Sequence, residues 1–143
     1  MNYDDATAAL ATVVAQTRQS ASAVGNSFRT LFQRIESLKL GETLEDGVDL
    51  TKYSAALEKV GVKILDVNGE MRDMHAVIED LGAVWQNLSK AQQNALAQTV
   101  GGVRNSNTLI AWMDNFGEFQ KNLGIAQNAE GALQEQADIY AQS

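Results

Sequence analysis

Residues 10–38 read LATVVAQTRQSASAVGNSFRTLFQRIESL. Within this stretch Leu10, Val14, Thr17, Ala21, Val24, Phe28, Leu31, Ile35 and Leu38 recur in steps of four and three. That is the spacing of the a and d positions of a heptad. Sustained through about four heptads, it predicts helix with one face covered by another helix. Gly25 and the Ser20-Ala21-Ser22 run weaken its middle, so one long helix and two shorter ones with a bend are both admissible. The residues Leu10, Val14, Val24, Phe28, Leu31, Ile35 and Leu38 serve either packing within the chain or an oligomer seam between copies.

Composition agrees with helix. The 143 residues include no proline, so nothing imposes the break that proline would, and 45% are hydrophobic. A chain of this length buries about 70% of its unfolded surface, enough for one core. The expected class is mainly α, a helical bundle with coiled-coil-like N-terminal helices and one small β-hairpin. Val62, Ile64 and Leu65 favour strand, and Asn68-Gly69 is a strong two-residue turn signal. That turn would set Asp66 opposite Met71 and Leu65 opposite Arg72. Two strands alone are marginal, so the ribbon must lean on a helix.

Local signals divide the remainder. Leu40-Gly41 closes the first element, Asp49 or Thr51 caps a short helix reaching Leu57 to Val60, and Gly61 ends it. Asp73 is an N-cap for a stripe formed by Met74, Val77, Ile78, Leu81, Val84, Trp85 and Leu88. Ser89-Lys90-Ala91-Gln92 is a capping box for a helix to Val100. After Gly101-Gly102 a further helix carries Leu109, Ile110, Met113 and Phe116 towards Leu123, and Ala126 to Tyr140 is helical again. The expected segments are 1–40, an amphipathic helical stretch; 41–60, an acidic loop and short helix; 61–73, the hairpin; 74–125, a packed helical core; and 126–143, a helix expected to continue in a longer parent.

Few residues suggest chemistry. A net charge of −7 offers no counterion release, which disfavours sequence-independent nucleic-acid binding. Arg18, Arg29, Arg34 and Lys39 precede Glu42, Glu45, Asp46 and Asp49, a block that is either a solvated face or a docking surface. There is no cysteine, no apolar run of roughly 18 residues, and no signal-peptide pattern. His75 is the sole histidine and reads as a surface or capping residue. Counted from Asp66, a calcium loop would need glycine and glutamate where Met71 and Val77 stand. Glu79 and Asp80 read as the wet face of a helix. Gly101-Gly102 follows a helix rather than a strand, the wrong context for a phosphate loop. No catalytic, metal-binding or cofactor-binding residue is assigned.

Packing is what remains. Trp85 and Trp112 fill the core, with Asn or Gln side chains as candidate partners for their N–H groups. The glycine pair permits a sharp corner with close backbone approach. Arg104, Asn105, Ser106 and Asn107 then supply groups for the free amides of the next helix. On the alternative reading Arg104 and Asn107 anchor a partner.

Several stretches resemble the tail tape measure proteins of long-tailed phages and prophages. ATVVAQTRQSASAVGNSFRTLFQRI is similar to the family's thread-like helix ending in a Thr-x-x-x-Arg-Ile/Leu pattern. The segment 60–115 resembles its succession of Gly-Val, Asp, Gly-Glu-x-Arg, Asp-Leu, Trp, Leu-Ser and Ala-Gln-Thr-Val. ALQEQADIY resembles its small-residue run leading into Glu-Gln. Departures are Gly101-Gly102 for the more usual Ala-Gly and Val60-Gly61 for Leu-Gly.

The resemblance implies a structural module that sets tail length, scaffolds tube assembly and leaves ahead of DNA during ejection. It implies no enzymatic residues and no cofactor. The implied partners are copies of the chain itself, tail tube, tail assembly chaperone and baseplate or tail-tip proteins, in a virion tail assembled in the bacterial cytoplasm. Two rivals stand beside it. One is a phage-unrelated bacterial helical adaptor. The other is a cell-wall-degrading tail module, which should show a metal cluster, a Cys-His pair or a cleft carboxylate. As one extended helix the chain would span roughly 215 Å, whereas the hairpin and capped short helices predict a compact domain of about 15 Å radius of gyration.

Overall fold

The N-terminal seam is split at Arg18. In the computed structural model, which describes residues 2–142, α1 (Tyr3–Thr17) ends where Arg18 takes a left-handed φ of 60°. Helix α2 (Ala21–Lys39) then starts at Ser20, whose side chain accepts from the Ala23 N–H. Gly25, the weaker-looking point, lies inside α2. The break also turns the face that α1 presents inward. Its buried residues are Asp5, Ala8, Ala9, Thr12 and Val13, while Leu10 and Val14 flank them half-buried. Helix α2 keeps its seam, burying Val24, Phe28, Leu31, Ile35 and Leu38.

Helix α3 (Leu50–Glu58) is capped by Asp49, whose Oδ1 accepts from Lys52 N–H at 2.8 Å. Gly61, at φ 84°, ends that region, and the Val62 N–H returns to the Leu57 carbonyl.

The expected hairpin is not formed. Among the described residues there is no strand, only an isolated antiparallel bridge between Leu65 and Met71. The cause lies in the turn. Asp66 Oδ1 accepts from the Asn68 and Glu70 N–H groups, and only Gly69 takes positive φ. The loop is therefore one residue longer than an Asn-Gly two-residue turn. Pairing slips by one, so Leu65 meets Met71 rather than Arg72. Arg72 instead donates to the Lys63 carbonyl at 2.7 Å and to Asp80 at 3.0 Å, tying the loop to the next helix.

That helix, α4 (Met74–Trp85), begins after Asp73, which occupies the N-cap position without making the expected side-chain capping bond. Helix α5 (Lys90–Gly101) carries the Ser89–Gln92 capping box, with both reciprocal bonds present. A short 3-10 turn (Val103–Asn105) leads to α6 (Ser106–Asp114). The polar run does not cap α6 as expected: Asn105 makes no side-chain cap bond, and Ser106 donates to the Val103 carbonyl. The next break is at Asn115, and α7 (Phe116–Gln142) runs unbroken through the expected boundary near residue 125.

Trp112 centres the core, with Phe28 and Phe119 edge-on to it at 5.3 and 5.4 Å between ring centroids. Such T-shaped contacts are favoured by the ring quadrupoles. Helix α1 lies antiparallel along α7. Thr12 Oγ1 accepts from Asn122 Nδ2 at 3.0 Å, and further along Asp4 hydrogen-bonds Glu130, pushing the Glu130 carboxyl above its usual range. From residue 127 to residue 141 every residue of α7 is exposed, so the helix outruns the body that its first two turns help to close. Among the described residues no helix is long and apolar enough to cross a membrane.

Candidate functional site

The glycine pair is occupied from within the chain. Arg34, projecting from α2, reaches the last turn of α5, where carbonyls lack helical partners. Its Nη2 donates to Thr99 O at 2.8 Å and its Nε to Val100 O at 3.2 Å. Nη1 pairs with Asp46 at 3.1 Å, and the Arg34 side chain is only 12% exposed. The cation thus sits at the negative end of the α5 dipole and against a carboxylate.

Both glycines make room for this clasp. A Cβ on Gly102 would stand 3.1 Å from Arg34 Nη1, and one on Gly101 would stand 3.0 Å from Leu31 Cδ2. Gly102 also takes φ 80°, a backbone conformation that side chains strain to adopt. Asp46 comes from the acidic block and Arg34 from the basic one, so these two segments meet inside the domain at this pair. Arg104 is exposed and lines a shallow cleft of about 580 Å³ beside the clasp, together with Glu45 and Asn105. Asn107 is exposed outside that lining. Neither joins the clasp.

A second polar cluster escaped sequence reasoning. His75 Nδ1 lies 2.8 Å from Asp5 Oδ1, and Asp5 is buried. Asp5 also closes the α1 capping box with Asn2. Glu79 stands 3.8 Å from the other ring nitrogen. The arrangement docks the start of α4 on the start of α1. Its only sequence trace is Asn2-x-x-Asp5, which speaks of a cap and not of the histidine 70 residues on. Among the described residues no group of three or more His, Asp or Glu could hold a metal ion.

The two tryptophans differ. Both are buried, as are the α2 seam residues. Trp85 Nε1 donates to the Asp114 carboxylate at 2.8 Å, not to an Asn or Gln, whereas Trp112 Nε1 finds no partner among the described residues. Gln93, buried beside them in sequence order, donates instead to the Trp85 carbonyl at 2.9 Å. The sites so assembled hold helices to one another, and the longest run of exposed residues among those described is 127–141 of α7.

Residues 1–102, the span from α1 to the glycine corner, match the family model described as phage-related minor tail protein. No solved structure matches the chain.

Proposed function

The chain belongs to the phage-related minor tail protein family, and from that premise we propose that it is a structural module of a tail tape measure protein. In this reading it contributes to setting tail length and scaffolding tube assembly, and it leaves ahead of the DNA. It works by packing and binding, with no catalytic step and no cofactor. Its partners are copies of itself, tail tube, the tail assembly chaperone and tip proteins, met first in the bacterial cytoplasm and then in the virion tail.

One observation carries the reading: a closed helical body from which a single 27-residue helix runs on. At 1.5 Å per residue that helix is roughly 40 Å long. The body suits an anchor, and the helix suits the start of a ruler.

In-frame deletion of residues 4–143 from the parent phage, with tails measured by electron microscopy, tests this. An anchor predicts that tails fail to assemble. Infective particles with tails of normal number and length would overturn the assignment. Tails shorter by about 210 Å would mean that the whole segment lies extended as ruler, and the anchor reading would go.

A further inference from the structure

The turn before α4 carries a reaction that needs no partner. Asn68 is the only asparagine of the chain followed by glycine, and Asn68 and Gly69 are both exposed. Gly69 has no Cβ to shield its amide nitrogen from the side chain before it. The Asn68 carboxamide makes no hydrogen bond among the described residues. Only the backbone N–H of Asn68 is engaged, by Asp66 Oδ1 at 2.8 Å. The one aspartate followed by glycine, Asp46, is held quite differently. Its carboxylate meets Arg34 at 3.1 Å and the Val48 N–H at 3.2 Å.

An exposed asparagine with a free carboxamide and a bare neighbouring amide is open to attack along its own backbone. What slows the attack here is the turn. Gly69 N–H donates to the Asp66 carbonyl at 3.1 Å. Asp66 Oδ1 also accepts from the Glu70 N–H at 3.0 Å, which pins the loop on the far side of Gly69. Exposed loop bonds of this kind open without unfolding the body.

We propose that Asn68 is a site of spontaneous deamidation and that Asp66 is the brake on it. Gly69 N gives up its proton to water and attacks Asn68 Cγ. The N–Cγ bond forms and the Cγ–Nδ2 bond breaks. Water returns a proton to Nδ2, which leaves as ammonia. A second water then opens the cyclic imide. Opening at Cγ leaves aspartate, and opening at the main-chain carbonyl leaves a β-linked aspartate with a longer backbone. Either product sets a new carboxylate within two residues of Asp66 and Glu70, where like charges repel. The β-linked form also carries the Glu70 N–H out of register with Asp66 Oδ1. The Leu65–Met71 bridge just outside the turn loosens in consequence. Ammonia is lost to solvent, so the converted fraction records the time since synthesis.

Full-length protein held folded at mildly alkaline pH and sampled over weeks tests it. Trypsin cuts after Lys63 and Arg72 and releases Ile64–Arg72, in which Asn68 is the only asparagine. That peptide should gain the mass of an amide exchanged for an acid, and split into two chromatographic forms, before any other asparagine peptide changes. Asn68→Gln should abolish the early mass gain, and Asp66→Ala should speed it several-fold with an unchanged circular dichroism spectrum. An Ile64–Arg72 peptide that keeps its mass, or converts no sooner than the others, would overturn the proposal. An unchanged rate in Asp66→Ala would remove the brake and leave the site. The proposal stands apart from the tail role, and neither test bears on the other.

Discussion

The Trp85 indole, with no exposed surface, donates its N–H to Asp114, an exposed residue at the far end of α6. One side chain at the surface thereby satisfies a donor in the interior and fixes α4 against α6. A buried indole N–H without an acceptor keeps the full cost of leaving water. Asp114→Ala should lower unfolding free energy by about 1–3 kcal/mol, read from urea denaturation. Asp114→Asn, which keeps an acceptor oxygen, should lose less than half as much. Equal losses would show that the bond contributes nothing of its own.

Arg34 makes a sharper case, because one guanidinium serves two carbonyls and a carboxylate. Lysine keeps the charge but not the planar fork. Arg34→Lys should therefore cost about 1–2 kcal/mol, most of it persisting at high salt because the carbonyl bonds are not screened as exposed ion pairs are. Gly102→Ala should cost about 1–3 kcal/mol, from a backbone at φ 80° and ψ 159° that essentially only glycine adopts and from crowding Arg34. Thermal melts at low and high salt separate the two contributions.

Gly82, inside α4, lies directly under the ring of Phe116, and a Cβ there would collide with three ring atoms. Gly82→Ala would improve an isolated helix, yet here it should destabilise by about 1–3 kcal/mol through overpacking. Phe116→Leu in the same chain should recover part of that loss. A double-mutant cycle measures the coupling, which should be far from additive.

Tyr53 is fully buried and its hydroxyl has no partner among the described residues. Burial pushes the phenol well above its ordinary value of 10.0, with Arg34 opposing weakly. The folded state thus holds this proton where the unfolded state releases it. Its contribution is complete below pH 10 and is lost as pH rises through the folded value. Tyr53→Phe should flatten that alkaline decline relative to the parent. Below pH 10 it should be neutral or stabilising by about 1 kcal/mol, since it removes an unsatisfied group. Chemical denaturation at pH 8 to 11 on both proteins checks the difference.

What could be read in the sequence was local. The Ser89–Gln92 box and the Asp49 cap each lie within four residues, and the α4 stripe lies within one helix from Met74 to Trp85, Leu88 falling beyond its end. Asn68-Gly69 marks a reversal of the chain but not two strands, because Asp66 Oδ1 accepts from the Asn68 and Glu70 amides and opens the turn by one residue. What stayed illegible was distant. Arg34 and Thr99 are 65 residues apart, and Asp5 and His75 are 70 apart. Nothing in either neighbourhood marks the partner. Asn115 interrupts the helices without glycine or proline, and its side chain bonds back to the Ala111 carbonyl at 2.8 Å. An asparagine inside an apolar pattern gives no warning of that.

The pairing of α1 with α7 sets an order of events during synthesis. Thr12 and Asn122, joined side chain to side chain, are 110 residues apart. At about 5–20 residues per second, a ribosome needs roughly 5–20 s to make the interval between them. For that time Ala8, Ala9 and Val13 have emerged while the helix that covers them has not. Among the described helices the one translated first is thus shielded by the one translated last, and until its own α7 emerges that face stays open to a chain on the same message whose α7 is already complete.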